Sequence, residues 1–154
     1  MKIEFIFIGK TTEPYLNEGI TTYLKRLVNY LPAEILTIPA SSSRLREKII
    51  EEESRAILSK IQPRDFIVLL DERGKELTSR QLAAFIEKQM VAGTNRLLMI
   101  TGGAYGVSDE VKQKVHYTLS ASKFTFTHQM IRLLLTEQVY RAMTILKNES
   151  YHQD

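Results

Sequence analysis

Several features that mark whole classes of protein are missing from this chain of 154 residues. It contains no cysteine, which excludes disulfides and thiolate metal sites. No stretch approaches the roughly 20 consecutive apolar residues that a membrane-spanning helix needs. The N-terminal run "MKIEFIFIGK" is too short and too alternating for a signal peptide, and Glu4 interrupts it. We therefore expect a cytoplasmic protein.

A large excess of charge of one sign is also lacking. The chain has 21 lysines and arginines against 18 aspartates and glutamates, which gives a net charge of +3. Such a balance permits binding to nucleic acid but does not indicate it, because dedicated electrostatic binders are more lopsided. Basic residues cluster locally at Lys25 with Arg26 and at Arg44, Arg46 and Lys48. Solvated helix faces are the simpler explanation of these clusters.

The chain has no internal repeat, low-complexity segment or linker, and its length favours one domain over residues 1–154. Hydrophobic periodicity predicts strands over 2–8, 33–40, 65–71 and 96–100, with strand character again in 117–126. Helices are predicted over 14–29, 44–61, 78–90 and 109–114, before a long final helix. This alternation predicts an α/β fold with a mainly parallel sheet covered by helices on both faces.

Local signals predict where several elements begin and end. Pro14 suits the first turn of a helix, and Thr78 with Gln81 has the spacing of a capping box. Ser108 is a candidate cap for the short helix, and the serines at 41–43 offer caps to the helix that follows them. The segment "ERGKE" predicts a turn after the third strand.

Ligands of parallel α/β sheets bind beyond the carboxyl ends of the strands. Three segments of this chain lie there: "LLDERG", "ITGGAYG" and "LSASKFTFTH". The glycines of the second segment, at 102, 103 and 106, fit neither the dinucleotide fingerprint nor the P-loop. Two interpretations stay open, a tight turn without a ligand and a loop whose backbone approaches a small ligand. In the second, a side chain at 102 or 103 would fill the space that the ligand needs.

The final helix has an apolar arc of about half its circumference when residues are projected at roughly 100° each. A helix of this kind packs on two partners at once, and we expect the second partner to be another copy of the chain. Arg132 falls inside the arc, so its guanidinium needs a carboxylate, a phosphate or helix-end carbonyls. Glu137 and Arg141 have the spacing of a helix-surface ion pair. His128 precedes the helix, where backbone contacts alone could account for it.

The motifs "ITGGAYG", "LSASKFTFTHQMIRLLLTEQVYRA" and the closing "YH" resemble those of the RlmH family, and the resemblance runs from "MKIEFIFIGK" to the tail. Members are SPOUT-type methyltransferases that methylate N3 of pseudouridine 1915 in 23S ribosomal RNA. The resemblance implies a SPOUT fold with a C-terminal trefoil knot, S-adenosylmethionine as the cofactor, a homodimer, and the large subunit or the whole ribosome as partner. No metal ion is required for this chemistry.

The resemblance also implies roles for particular residues. The cofactor site would comprise Leu70, Gly102, Gly103, Ala121, Ser122, Lys123, Phe124, Thr125 and Phe126. The catalytic set would comprise His128, Arg132, Arg141, Tyr151 and His152. The first three would face RNA or brace the site, and the tail of one subunit would close over the site of the other. The tail segment "NESYHQD" has nothing with which to fold by itself, so we expect it to become fixed mainly when RNA is present.

Two departures from the family pattern bear on these roles. Thr127 stands where the family commonly has proline before the histidine, and "QD" follows "YH" where a basic residue is common. The reaction needs a deprotonated N3, and the imidazoles of His128 and His152 are both candidate proton acceptors. The competing hypotheses are a non-enzymatic RNA-binding or ribosome-associated factor and a nucleotide-binding α/β module. The second would need a Lys, Asp or Cys at a strand end that this chain lacks.

Overall fold

Apolar strands form the centre of an α/β fold in the computed structural model, which describes residues 1–154. The elements are, in chain order, β1 (Lys2–Ile8), α1 (Pro14–Leu27), β2 (Ala33–Ile38), α2 (Arg46–Leu58), β3 (Asp65–Glu76), α3 (Ser79–Val91), β4 (Arg96–Thr101), α4 (Asp109–Lys114), β5 (Tyr117–Ser120) and α5 (Met130–Leu146). The five strands lie in the order β2-β1-β4-β3-β5, and every pair is parallel. The predicted parallel sheet is confirmed.

Side chains of the central strands alternate between the two faces of the sheet. The odd-numbered residues of β1, from Ile3 to Phe7, belong to a core that they share with α1, α3 and α5. Ile6 and Ile8 belong to a second core on the other face, with Ile57 of α2 and Val111 of α4. Helices therefore cover both faces, as predicted. None of the helices has both the length and the apolar character needed to cross a membrane.

Proline and capping side chains determine several helix starts. α1 begins at Pro14. Before α3, the Thr78 hydroxyl accepts a hydrogen bond from the Gln81 amide, and the Gln81 side chain accepts one from the Thr78 amide. The Ser108 hydroxyl accepts a hydrogen bond from the Val111 amide at the start of α4. These local predictions are confirmed.

The prediction that Ser41–Ser43 cap the next helix is wrong. The N-cap position of α2 is occupied by Leu45, and no side chain caps it. The Ser41 hydroxyl instead donates to Glu52 at 2.5 Å, and the Ser41 amide donates to Glu53 at 3.0 Å. The serine loop is therefore bound to the middle of α2 rather than to its start.

The turn predicted at 72–76 is also wrong, because β3 continues through this segment. The pairing register with β5 shifts between Leu70 and Lys75, and the strand then pairs again. Gly74 permits this course, since a Cβ there would lie 2.7 Å from backbone atoms of Thr118. The glycine that suggested a turn instead allows two strands to approach closely.

The strand character predicted for 117–126 ends earlier than expected. β5 stops at Ser120, and the chain is irregular through 121–129 before α5 begins. The Thr127 hydroxyl accepts a hydrogen bond from the Met130 amide at 3.1 Å, so this residue supports the first turn of the helix. α5 then packs beside α1 and α3 on one face of the sheet.

Candidate active site

A cavity of about 700 Å³ opens at the carboxyl ends of β3, β4 and β5. Its volume lies within the range of small-molecule sites in proteins. The three strand-end segments singled out in the sequence all contribute to its wall, through Leu70–Arg73, Thr101–Val107 and, apart from Lys123, Leu119–His128. Ile131 of α5 completes this side of the cavity. The topology of the sheet thus brings together residues that are up to 61 positions apart in the chain (70 to 131).

The structure places the residues predicted for the cofactor site around this cavity, with one exception. Lys123 belongs to the same segment but does not line the cavity. The residues that do line it are Leu70, Gly102, Gly103, Ala121, Ser122, Phe124, Thr125 and Phe126.

Three further lining residues were missed in the sequence: Arg46 and Ile50 of α2 and Lys112 of α4. The Arg46 guanidinium lies 5.5 Å from the centre of the Tyr105 ring, which connects α2 to the glycine loop (residues 101–107). These helices cover the opposite face of the sheet from α5, and they reach the cavity only through tertiary packing. No strand-end pattern could have identified their residues.

The segment 121–128 leaves most of its backbone donors free. Phe124, whose amide donates to the Ser122 hydroxyl at 3.0 Å, is the only residue of the segment whose backbone N–H bonds within the protein. The side chains of Phe124 and Phe126 are 80% and 39% exposed although they line the cavity. Free amides beside exposed aromatic rings suit a ligand that has both a flat apolar surface and hydrogen-bonding edges. The residues present therefore fit a nucleoside-containing cofactor.

Packing inside the protein gives a further reason for the glycines at 102 and 103. A Cβ on Gly102 would lie 3.3 Å from both Gly106 Cα and Val107 Cγ1, and a Cβ on Gly103 would collide with the Glu53 carboxylate. Gly106 has a φ of +81°, and its amide donates to the Gly103 carbonyl at 3.0 Å to close the turn. A side chain at either position would first crowd these neighbours inside the protein, and the expectation that it would fill ligand space stays a prediction.

Arg132 is the largest fully buried side chain, with 1% exposure. Its Nη1 donates to the Gly9 carbonyl at 2.9 Å and to the Thr11 hydroxyl at 3.0 Å, and its Nη2 donates to the Ile8 carbonyl. The guanidinium also lies 5.0 Å from the centre of the Phe7 ring. Its partners are strand-end carbonyls rather than a carboxylate or a phosphate. Of the two roles implied for Arg132, the structure leaves it the bracing one, since it cannot face RNA.

His128 lies at the cavity wall, two residues before α5, and its side chain is exposed there. Burial by the surrounding atoms lowers the pKa of His128, and the charge of Arg132 lowers it further. The Glu53 carboxylate acts in the opposite direction on the same pKa. Because the imidazole is exposed, we expect the net shift to be modest. A neutral imidazole can accept a proton from a ligand in the cavity.

Arg141, Tyr151 and His152 gather elsewhere, around Glu137 of α5. Arg141 Nη2 donates to Glu137 at 2.5 Å, which raises the pKa of Arg141, and the Tyr151 hydroxyl donates to the same carboxylate at 2.9 Å. The Arg141 guanidinium lies 4.6 Å from the centre of the Tyr151 ring. His152 Nδ1 lies 3.4 Å from Arg141 Nη1. These four residues form what we call the tail cluster.

The tail makes contacts with the rest of the chain, and the expectation that it becomes fixed mainly when RNA is present stays a prediction. The Tyr151 ring packs edge-on against Tyr140 at 4.8 Å, and Asp154 pairs with Arg80 of α3 and with His152 at 2.7 Å. The residues predicted to be catalytic are thus divided between the start of α5 and its later part. Arg141 lies ten residues beyond the cavity-lining Ile131, which is about 15 Å at roughly 1.5 Å per residue. One chain does not bring both groups to the same cavity.

Comparison with known proteins gives concordant matches over the whole chain. A family model described as a predicted SPOUT methyltransferase matches residues 1–152. A protein of Parabacteroides distasonis named ribosomal RNA large subunit methyltransferase H is 46% identical over 100% of both chains. A protein of Syntrophotalea carbinolica with the same name is 44% identical over 99% of each. The solved structure of a probable methylase family protein from Haemophilus influenzae has a TM-score of 0.55 at 14% identity, covering 95% of this chain and 66% of that one. This last likeness shows a shared fold.

Proposed function

The chain belongs to the SPOUT methyltransferase family, and from this premise we propose that it methylates N3 of pseudouridine 1915 in 23S ribosomal RNA, using S-adenosylmethionine. The observation that carries the proposal is the strand-end cavity, whose wall contains the family's glycine loop and the segment 121–128. Full-length similarity to proteins named ribosomal RNA large subunit methyltransferase H supports the choice of substrate. On this proposal residues 1–154 form one methyltransferase domain that works in the cytoplasm, where ribosomes are assembled.

The cavity wall supplies what the cofactor needs. When bound, S-adenosylmethionine supplies an electrophilic methyl group on a sulfonium. The free amides of 121–128 would bind its hydrogen-bonding edges, while Leu70 and the rings of Phe124 and Phe126 would cover apolar surface. The glycine loop would form the opposite wall. The trefoil knot implied by the resemblance stays a prediction.

The target nitrogen must lose its proton as it attacks the methyl group. His128 lies at the cavity wall with its pKa lowered by burial, so it is neutral at pH 7 and can accept that proton. His152 of the tail cluster is the second candidate acceptor. Negative charge that develops on the neighbouring carbonyl oxygens would be stabilised by a guanidinium such as that of Arg141. Arg132 would act by holding the end of β1 under the site.

We propose that two copies of the chain share each site. On α5, the residues Ile131, Leu134, Gln138, Arg141 and Ile145 lie on one stripe at helical spacing, and each is only partly buried. Ile131, at one end of the stripe, lines the cavity, and Arg141, towards the other end, belongs to the tail cluster. If two copies pack antiparallel along this stripe, the cavity of each meets the tail cluster of the other. Such a dimer would unite catalytic residues that lie on different parts of α5 in one chain, since Arg141 is ten residues, or about 15 Å at roughly 1.5 Å per residue, beyond the cavity-lining Ile131.

Sedimentation of the pure protein at micromolar concentration tests the dimer. We expect twice the chain mass of 17.7 kDa, because a stable homodimer interface is large and apolar. A monomer at that concentration would exclude the shared site.

The function itself is tested by a methylation assay with labelled S-adenosylmethionine. The substrates are ribosomes that lack the modification and, as the control, ribosomes that already carry it. We expect transfer of label to 23S ribosomal RNA only in the first case. Binding of RNA without any binding of the cofactor by calorimetry would favour the non-enzymatic RNA-binding alternative.

A further inference from the structure

Glu53 is a buried carboxylate to which the proposed mechanism gives no role. It lies in the second half of α2 and is 6% exposed. Its Oε2 accepts a hydrogen bond from the Ser41 amide at 3.0 Å. None of the ion pairs in the structure involves it. A buried carboxylate without a cation is costly, so its presence calls for a compensating positive charge.

The Glu53 carboxylate lies directly behind the glycine loop. Its Oε1 occupies the space that a Cβ on Gly103 would need, and Gly103 lines the cavity. The next residue, Ser54, holds the same loop, because its hydroxyl accepts a hydrogen bond from the Ser108 amide at 2.8 Å. One layer of backbone therefore separates the charge of Glu53 from the cavity. The influence of Glu53 on the pKa of His128 is consistent with a field that reaches the cavity wall.

Arg132 does not pair with Glu53, and the other carboxylates at the cavity are less buried than Glu53. The nearby guanidinium of Arg132 donates to carbonyls at the end of β1 and forms no ion pair with Glu53. Asp71 and Glu72 also line the cavity, but both are more exposed than Glu53 and they adjoin Arg73. Water and that neighbouring cation weaken the field of exposed carboxylates. Among the carboxylates at this site, Glu53 is thus the buried one without an ion-pair partner.

We propose that Glu53 makes the cavity select a cationic cofactor, favouring S-adenosylmethionine over its neutral product S-adenosylhomocysteine. This inference rests on the proposed function. Transfer of the methyl group to the target nitrogen takes the positive charge off the sulfur, which becomes a thioether. The attraction to Glu53 is lost at that step, so product is held less tightly than cofactor. The compensating cation for the buried carboxylate is then the ligand itself.

The test compares the affinities of the two ligands for the wild type and for Glu53→Gln by calorimetry. The glutamine has nearly the same shape, and its amide oxygen can still accept from the Ser41 amide, so mainly the charge is removed. We expect the affinity for S-adenosylmethionine to fall about five- to tenfold and that for S-adenosylhomocysteine to change by less than about twofold. The matched control is Glu52→Gln, which removes the adjacent carboxylate bound to the Ser41 hydroxyl. It should leave the ratio of the two affinities unchanged.

If Glu53→Gln weakens the affinities for both ligands equally, Glu53 only supports the loop and the proposal is overturned. An unchanged affinity for both ligands would also overturn it. Glu53→Asp keeps the charge, and it should keep the affinity ratio within about twofold of the wild type even if the glutamine variant does not fold. A ratio that collapses in the aspartate variant would also overturn it. A wild-type chain that binds neither ligand would instead overturn the proposed function, on which this inference depends.

Discussion

The start of α5 and its later part differ in how many of their polar groups already have partners within the protein. At its start, the segment 121–128 has free backbone amides, exposed aromatic rings and an exposed histidine around a cavity. Further along the helix, Arg141 and Tyr151 both bond to Glu137, and the Tyr151 ring packs on Tyr140. The first end has polar and apolar groups for a ligand to cover. The later part of the helix carries a preformed set of polar side chains that do not line this cavity.

This difference gives the two ends separate tasks. Free donors beside exposed rings are costly unless a ligand or water satisfies them, so the start of α5 is suited to binding. Side chains that are held by several partners keep their geometry and can act on a substrate without being reordered. Residues for binding and for part of the chemistry therefore lie on one helix, with Arg141 ten residues, or about 15 Å at roughly 1.5 Å per residue, beyond the cavity-lining Ile131. Each task can be removed by a substitution that leaves the other intact.

The largest expected effect is a difference in the free energy of unfolding between variants of the two arginines of α5, Arg132 and Arg141. Arg132→Leu leaves the carbonyls of Ile8 and Gly9 without their donor in the core, so we expect the free energy of unfolding to fall by about 3 kcal/mol or more. Arg141→Leu removes a half-buried ion pair to Glu137 and should cost about 1 kcal/mol or less. Urea denaturation measures both. Equal losses in the two variants would contradict the division of roles.

Arg132 also shows how far sequence alone could go. Its place in an apolar arc predicts that it has a buried partner, and this is confirmed. The identity of that partner could not be predicted, because Gly9 lies 123 residues away in the chain. Contacts at such separation depend on the sheet order, and helical periodicity carries no information about that order. The same limit explains why Arg46 and Ile50 were missed at the cavity.

Predictions that depend only on residues close together in the sequence were confirmed more often than those that depend on distant segments. The capping box of Thr78 and Gln81 and the proline start of α1 involve contacts within one turn, and both are confirmed. The serine caps and the turn at Gly74 failed because distant segments compete for those residues. Ser41 bonds to the middle of α2, and Gly74 packs on β5. The candidate site was located because the carboxyl ends of parallel strands share one edge of the sheet.

Removing the tail should have the next largest effect, and it should fall mainly on catalysis. Truncation after Ser150 deletes Tyr151 and His152, and we expect methylation to fall by at least about tenfold, a barrier change of roughly 1.4 kcal/mol. Affinity for S-adenosylmethionine should stay within about twofold, because no deleted residue lines the cavity. Loss of the bond from Tyr151 to Glu137 should lower stability by about 1 kcal/mol. Calorimetry, rate measurements and denaturation separate the three quantities.

A mixing experiment tells whether the tail acts on its own chain or on its partner. The truncated chain is combined with a full-length chain whose cofactor site is disabled by Gly103→Val, a substitution that should displace the glycine loop. In a mixed dimer, one site would pair an intact cavity with an intact tail from the other chain. Recovered activity would support the shared site. Full activity of the truncated protein alone would contradict any catalytic role for the tail.

The smallest expected effect concerns the charge of His128. Its pKa is lowered in the folded protein from an ordinary value of 6.5, so below pH 6.5 the unfolded chain binds more protons than the folded one. Stability should therefore rise with pH from the folded pKa of His128 up to about 6.5 and lose this dependence above it. His128→Gln should flatten the profile within that window. The change should be slight, because the imidazole is exposed at the cavity wall.

Titration of the imidazole by NMR tests the same prediction directly, because it measures the pKa of His128. We expect a midpoint below 6.5 in the wild type and a lower one in Glu53→Gln, since the Glu53 carboxylate raises the pKa of His128. A wild-type midpoint at or above 6.5 would contradict the desolvated position of the ring. If His128 is the proton acceptor, the methylation rate should fall on the acid side of the same midpoint and should move with it in Glu53→Gln. If the rate of His128→Gln still falls at low pH, the proton acceptor would instead be His152 of the tail.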